Sequence, residues 1–276
     1  MTKLNIRNPF DAPVYHEETV TSTMDVSRAL AAAGEKHGAV ITADFQEAGR
    51  GRGQDRSWQM NRGENMAFTL LLRYPCGEDI PSALTLRIGL AVSLAIEDFA
   101  PSLRGLVMVK WPNDILIGEK KAVGILCEAD GGNVHAGIGI NVAQKEFPPH
   151  LREKATSIAL AAGVNIAPDD RFLLLEKILA RLFSELETTA GENWKSRLEQ
   201  RLYKNGEQVI FIEGAAGSGK EVKGRMAGIG EGGELLITPE GETQPRAFVT
   251  GELAPVIGSA GLEKANLKCM SVNNPV

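Results

Sequence analysis

The chain has 276 residues, 43% hydrophobic and 24% charged, with 30 basic against 35 acidic side chains and a formal net charge of −5. This ordinary globular composition suits one large domain plus a small one. An acidic chain with no Lys/Arg-dense stripe argues against general nucleic-acid binding, and the lack of a long apolar run argues against a membrane protein. Cys76, Cys127 and Cys269 are scattered, without a CxxC or Cys/His cluster, so neither a disulfide framework nor a zinc site is expected. No signal-peptide pattern opens the chain, and the cytoplasm is the expected compartment.

In chain order, Ser22 is an N-cap for a helix over Thr23 to Ala33, and Ala39 to Ala43 reads as a strand. Met66 to Leu72 is a second strand. Pro81 to Phe99 is a helix with Leu84, Ile88, Ala91, Val92, Ala95 and Phe99 at helical spacing. Leu106 to Val109 is a strand; Ile115 to Ile117 and Ala122 to Cys127 form a hairpin around Gly118; Val134 to Val142 is a further strand. Pro168-Asp169-Asp170 opens a long helix through Leu175, Leu179, Leu182 and Leu186, and another helix covers Trp194 to Tyr203. The mixture predicts an α/β (α+β) fold with a mixed sheet. From Gly206 the chain becomes short β-like runs between glycines, which reads as a small SH3-like barrel or sandwich. The expected units are residues 1–204, residues 205–257 and a flexible tail over 258–276.

Two segments carry chemistry. Residues 46–58 alternate glycine and arginine at Gly49, Arg50, Gly51, Arg52 and Gly53, followed by Arg56 and Trp58. Glycine loses most backbone entropy on ordering, so this reads as a mobile loop, and its guanidinium forks suit phosphate or carboxylate. The second is Lys110-Trp111-Pro112-Asn113-Asp114, a strand end entering a turn, with Lys121 on the return strand before Gly124. Gly214 to Lys220 nearly spells a phosphate-binding P-loop, but Glu221 stands where Ser or Thr should follow and no helix pattern comes after, so it reads as a hairpin turn. The four histidines form no metal-like or triad-like spacing.

Together the two segments resemble the biotin protein ligases. The resemblance lies in Gln46-x-x-Gly49-Arg50-Gly51-Arg52 with Trp58, in Lys110 to Asp114, in Lys121-x-x-Gly124-Ile125-Leu126, and in Ser22-Thr23 and Gly137 to Asn141. It implies an α/β ligase domain that activates biotin with ATP and Mg2+ as biotinyl-5′-AMP, then transfers biotin to a lysine of a biotin carboxyl-carrier protein. By that resemblance Lys121, Arg50, Arg52 and Asp114 are catalytic. Ser22, Thr23, Gln46, Arg50, Gly51, Arg52, Lys121, Gly124, Ile125, Gly137 and Gly139 bind biotin. Arg50, Arg52, Trp58, Lys110, Asn113 and Asn141 bind nucleotide, and no metal ligand is assigned on the protein. Too few residues precede Ser22 for a helix-turn-helix, so no DNA partner is expected; a monomer or homodimer is. Met24 stands where many relatives have Asn, and Gly53 to Trp58 runs one residue longer than the common spacing. A lipoate or octanoate ligase is the alternative from a related fold, and a non-catalytic adenylate-binding regulator the alternative from another class.

Overall fold

The computed structural model describes residues 1–53, 56–75, 80–214 and 219–254. β1 (Thr2–Leu4) pairs antiparallel with β2 (Val14–Val20). β2 runs parallel to β3 (Val40–Gln46), because α1 (Thr23–Ala32) carries the chain back along the sheet. β4 (Asn65–Arg73), β5 (Val107–Lys110), β6 (Asp114–Ile117), β7 (Lys120–Asp130) and β8 (Asn133–Asn141) join by antiparallel pairing. The result is one eight-stranded mixed sheet in the order β1-β2-β3-β4-β8-β7-β6-β5. The expected α/β architecture with a large mixed sheet is present.

Side chains alternate across a strand, and this chain uses the alternation sharply. Phe68, Leu70 and Leu72 of β4, Val123 and Ile125 of β7, and Ile138 and Ile140 of β8 share one buried cluster. Two helices cover that face, α2 (Leu84–Phe99) through Ile88, Val92 and Ile96 and α4 (Asp170–Glu187) through Leu175, Ile178 and Leu182. Each such side chain, removed from water, contributes about 1.5–3 kcal/mol before entropy is counted. The opposite face carries Ala67, Thr69, Gly124, Gly137 and Gly139, and α1 packs at one end of it.

Several boundaries differ from the sequence expectation. β2 has no clean alternation, with Glu17, Glu18 and Thr19 in its second half, so nothing in the pattern marked it. α2 starts at Leu84 rather than Pro81, because Ala83 takes a left-handed φ of 55°. α3 (Ile158–Ala162) is too short to give a period. α5 (Trp194–Glu199) stops before Tyr203, where Tyr203 N donates to the Val109 carbonyl and Leu202 bridges Val109.

β9 (Gln208–Glu213), β10 (Glu221–Ile229), β11 (Leu235–Pro239), β12 (Arg246–Phe248) and β13 (Gly251–Leu253) form a second, antiparallel sheet. β9 and β10 pair with Ile212 opposite Glu221, on either side of the P-loop-like stretch; its residues 215–218, like the expected tail over 258–276, lie outside the described residues. The core of this sheet does not stop at residue 204. Phe211, Met226, Ile229, Ile237 and Phe248 share one cluster with Leu86 and Leu90 of α2, Trp111, and Trp194 and Leu198 of α5. Trp111 is the rivet: its Nε1 donates to the Gly233 carbonyl at 3.0 Å, and its ring centre lies 5.8 Å from that of Phe211. Phe211→Ala should therefore cost about 3–5 kcal/mol. Calorimetry should show one transition shifted down for the whole chain; an upper transition left at the parental temperature would mean two independent cores.

Candidate active site

The pairing register lays Ala43, Ala67, Gly139, Gly124, Asp114 and Lys110 in a single row from β3 to β5. Four residues with little or no side chain leave a flat floor, and the row ends in charge. The neighbouring row holds Thr69, Gly137 and Leu126. A shallow trough results, polar at the α1 end and ionic at the β5 end.

At the polar end, Ser22 caps α1, its hydroxyl accepting from Met24 N. Gln46 Oε1 accepts from Thr23 N at 2.8 Å and Thr23 Oγ1 at 3.0 Å, and Thr69 Oγ1 lies 2.9 Å from Thr23 Oγ1. This cluster of buried hydroxyls and an amide offers both donors and acceptors. Met24 lies against Gly137, where a Cβ would come 3.0 Å from its sulfur.

At the ionic end, Lys121 Nζ is 2.7 Å from Asp114 Oδ1. Lys110 faces Asp114, Glu252, Lys121 and Arg56; burial pushes its ammonium below the ordinary lysine range, and the two carboxylates work against that. No group of three or more metal-binding side chains occurs among the described residues.

The arginine-glycine segment is more ordered than its composition implied. Gly51 N donates to Arg56 O at 2.8 Å, Trp58 N donates to Gly49 O at 2.9 Å, and Arg50 bridges Ser57, so the segment is a narrow hairpin. Each arginine has a protein acceptor. Arg50 Nη2 is 2.9 Å from Asp25 Oδ1 and 4.0 Å from Glu128, carboxylates that also hold Arg28. Arg52 donates to the Gly251 carbonyl at 2.8 Å, and Arg56 pairs with Glu252 at 2.7 Å, both on β13. Residues 54 and 55 of this stretch lie outside the described residues.

The structure gathers Ser22, Thr23, Gln46, Gly124, Gly137, Gly139, Trp58, Lys121, Asp114 and Lys110 around this trough, with Arg50, Gly51 and Arg52 on the hairpin beside it. Four residues stand apart from their expected roles. Ile125 is buried on the helix-covered face, because alternation turns it away from Gly124; its side chain is not part of the trough. Asn113 is a clamp: its Nδ2 donates to Ile125 O and its carbonyl accepts from Ile125 N. Asn141 is buried, accepting from Asn65 Nδ2 and donating to Thr156 O. Trp58 lies over Gly124 and Gly139, on the floor expected to hold biotin rather than beside a nucleotide. Thr69, Asp25, Glu128 and Glu252 were not anticipated; Glu252 meets Arg56 across 196 positions of sequence, and only folding brings them together.

The Biotin/lipoate A/B protein ligase family matches residues 17–144. The bifunctional ligase/repressor BirA of Bacillus subtilis is 37% identical over 174 residues, covering 60% of this chain and 51% of that protein. The biotin-acetyl-CoA-carboxylase ligase of Paracoccus denitrificans is 31% identical over 210 residues, covering 71% of this chain and 82% of that protein. This chain belongs to the biotin protein ligase family. A solved member, the biotin protein ligase of Aquifex aeolicus in complex with biotin and ATP, superimposes with a TM-score of 0.71 at 30% identity, over 87% of this chain and 97% of that one. The chain spans about half the length of the Bacillus relative. Among the described residues no helix is long and apolar enough to cross a membrane.

Within a biotin protein ligase frame, the second sheet reaches the trough through Arg52 and Arg56. Glu252→Ala should release that grip while costing under about 1 kcal/mol, since both partners are solvent-accessible. Trypsin should then cut at Arg52 and Arg56 several-fold faster, with the melting temperature nearly unchanged; parental cleavage rates would mean that the pair does not hold the hairpin.

Proposed function

We propose that this protein is an ATP-dependent biotin ligase acting on a carrier-protein lysine. The observation that carries the reading is the trough itself: a flat small-residue floor with a donor–acceptor cluster at one end and the Lys121–Asp114 pair at the other. Biotin has the matching shape, a fused bicycle with a ureido group at one side and a carboxylate on a flexible arm. Thr23, Gln46 and Ser22 would take the ureido group, and Lys121 the carboxylate.

The chemistry follows. A carboxylate oxygen of biotin attacks the α-phosphorus of ATP, and the bond to the β-phosphate oxygen breaks to release pyrophosphate. Two anions must first meet. At about 4 Å and an effective dielectric of 20 their repulsion is about 4 kcal/mol per charge pair. Lys121 beside the carboxylate, with Arg50 and Arg52 swung from Asp25 and the Gly251 carbonyl onto the phosphate, would offset that cost and stabilise the charge developing on phosphorus. Asp114 holds the Lys121 ammonium in line with the floor. Asp114 and Glu252 are each already paired with a cation, so Mg2+ would be carried by the ATP phosphates rather than by a protein cage. In the second step the ε-amine of a carrier-domain lysine attacks the acyl carbon and AMP leaves. Closure of the hairpin over the mixed anhydride would keep water from the same attack.

Lipoate and octanoate ligases share the family description that matches here. A plain acyl chain has no use for the Thr23–Gln46–Thr69 cluster, and this favours biotin. Labelled biotin should pass to a biotin carboxyl-carrier domain only with ATP. Lys121→Ala should slow adenylate formation by about 10²–10³-fold, the effect of removing one preorganised charge from a phosphoryl-type transition state, with an unchanged melting curve. Equal pyrophosphate release in the variant would remove Lys121 from the mechanism, and lipoate-dependent but not biotin-dependent release would overturn the substrate.

A further inference from the structure

We propose that the indole of Trp58 and the bicycle of biotin compete for one seat, the floor at Gly124 and Gly139; this rests on the biotin-ligase reading above. The indole lies directly on the floor. A Cβ built on Gly139 would fall 2.4 Å from Trp58 Cε2 and 2.7 Å from Cδ2, and one on Gly124 would fall 3.2 Å from Cζ3. Those spacings are ring-on-backbone contact, with no room for a second ring system between. An indole and two fused five-membered rings are close in size, so the floor accepts either but not both.

The seat is one that the indole can leave. Trp111, a permanent core residue, gives its Nε1 an acceptor in the Gly233 carbonyl. Trp58 Nε1 is buried and finds no acceptor among the described residues, so its desolvation goes uncompensated. The hairpin behind it is held by Arg50 to Asp25 and Arg56 to Glu252, accessible ion pairs of the kind that exchange readily for another anion. Trp58 N is bonded to Gly49 O, so lifting the indole moves the hairpin that carries Arg50 and Arg52. Biotin would thereby displace the residue that sits in its place and loosen the arginines needed for the phosphate.

If the indole is seated in nine of ten molecules, it weakens apparent biotin affinity about tenfold. Calorimetric titration of the full chain with biotin, without ATP, tests this. Trp58→Ala should bind biotin about three- to tenfold more tightly than the parent, with Trp58→Phe between them. In the parent, the emission attributable to Trp58, taken as the difference from Trp58→Phe, should become more accessible to acrylamide on adding biotin. Equal or weaker biotin binding by Trp58→Ala, or reduced acrylamide access, would overturn the competition and make the indole part of the biotin wall; carrier biotinylation by the parent would then still stand. A parent that binds no biotin at all would overturn both this inference and the function it rests on.

Discussion

The two faces of the central sheet cannot be exchanged, and the rest of the molecule depends on that. On β4, β7 and β8 one parity carries Phe68, Leu70, Leu72, Val123, Ile125, Ile138 and Ile140, and the other places Ala67, Thr69, Gly124, Gly137 and Gly139 at the trough, beside Leu126. The first set binds α2 and α4 into the main core. The second leaves space where a ligand or an indole can touch backbone. A slip of one residue in register would turn those large core side chains into the trough and those glycines into the core. Stability and site are thus made by the same strands without conflict, because they are written on alternate residues.

Charge is organised by exchange rather than by accumulation. The chain is acidic overall, yet it gathers Lys110, Lys121, Arg50, Arg52 and Arg56 around the trough. Such a cluster would repel itself, and Asp114, Asp25, Glu128, Glu252 and the Gly251 carbonyl neutralise it. Accessible pairs of this kind are each worth at most about 1 kcal/mol. A phosphate or carboxylate can therefore replace the internal acceptors at small cost, whereas bare cations would have to be assembled against their own repulsion.

The motif Lys110 to Asp114 divides its work by the same logic of parity and turn. Trp111 turns to the second sheet and ties it to the first through Gly233 and Phe211. Asn113 clamps the turn to β7 through both its side chain and its backbone. Lys110 and Asp114, opposite each other at the mouth of the hairpin, are left to face the trough. A five-residue string that reads as one functional signature is thus part rivet, part clamp and part site.

The sequence by itself determined the α/β class, most of the strands and helices, the change of pattern after Gly206, and the short strings that resemble the biotin protein ligases. These are local properties: periodicity, capping and spacing along the chain. β2, the left-handed Ala83 that delays α2, and the early end of α5 escaped it, because tertiary pairing and packing decide them. Tertiary structure alone decided that Ile125 faces the core, that Asn141 is spent in a buried network, that Trp58 lies on the glycine floor, and that Arg52 and Arg56 reach β13. The physical reason is common to all four. Which face a residue meets, and which distant acceptor its side chain finds, depend on register and on contacts between segments nearly two hundred residues apart, and no local propensity encodes those.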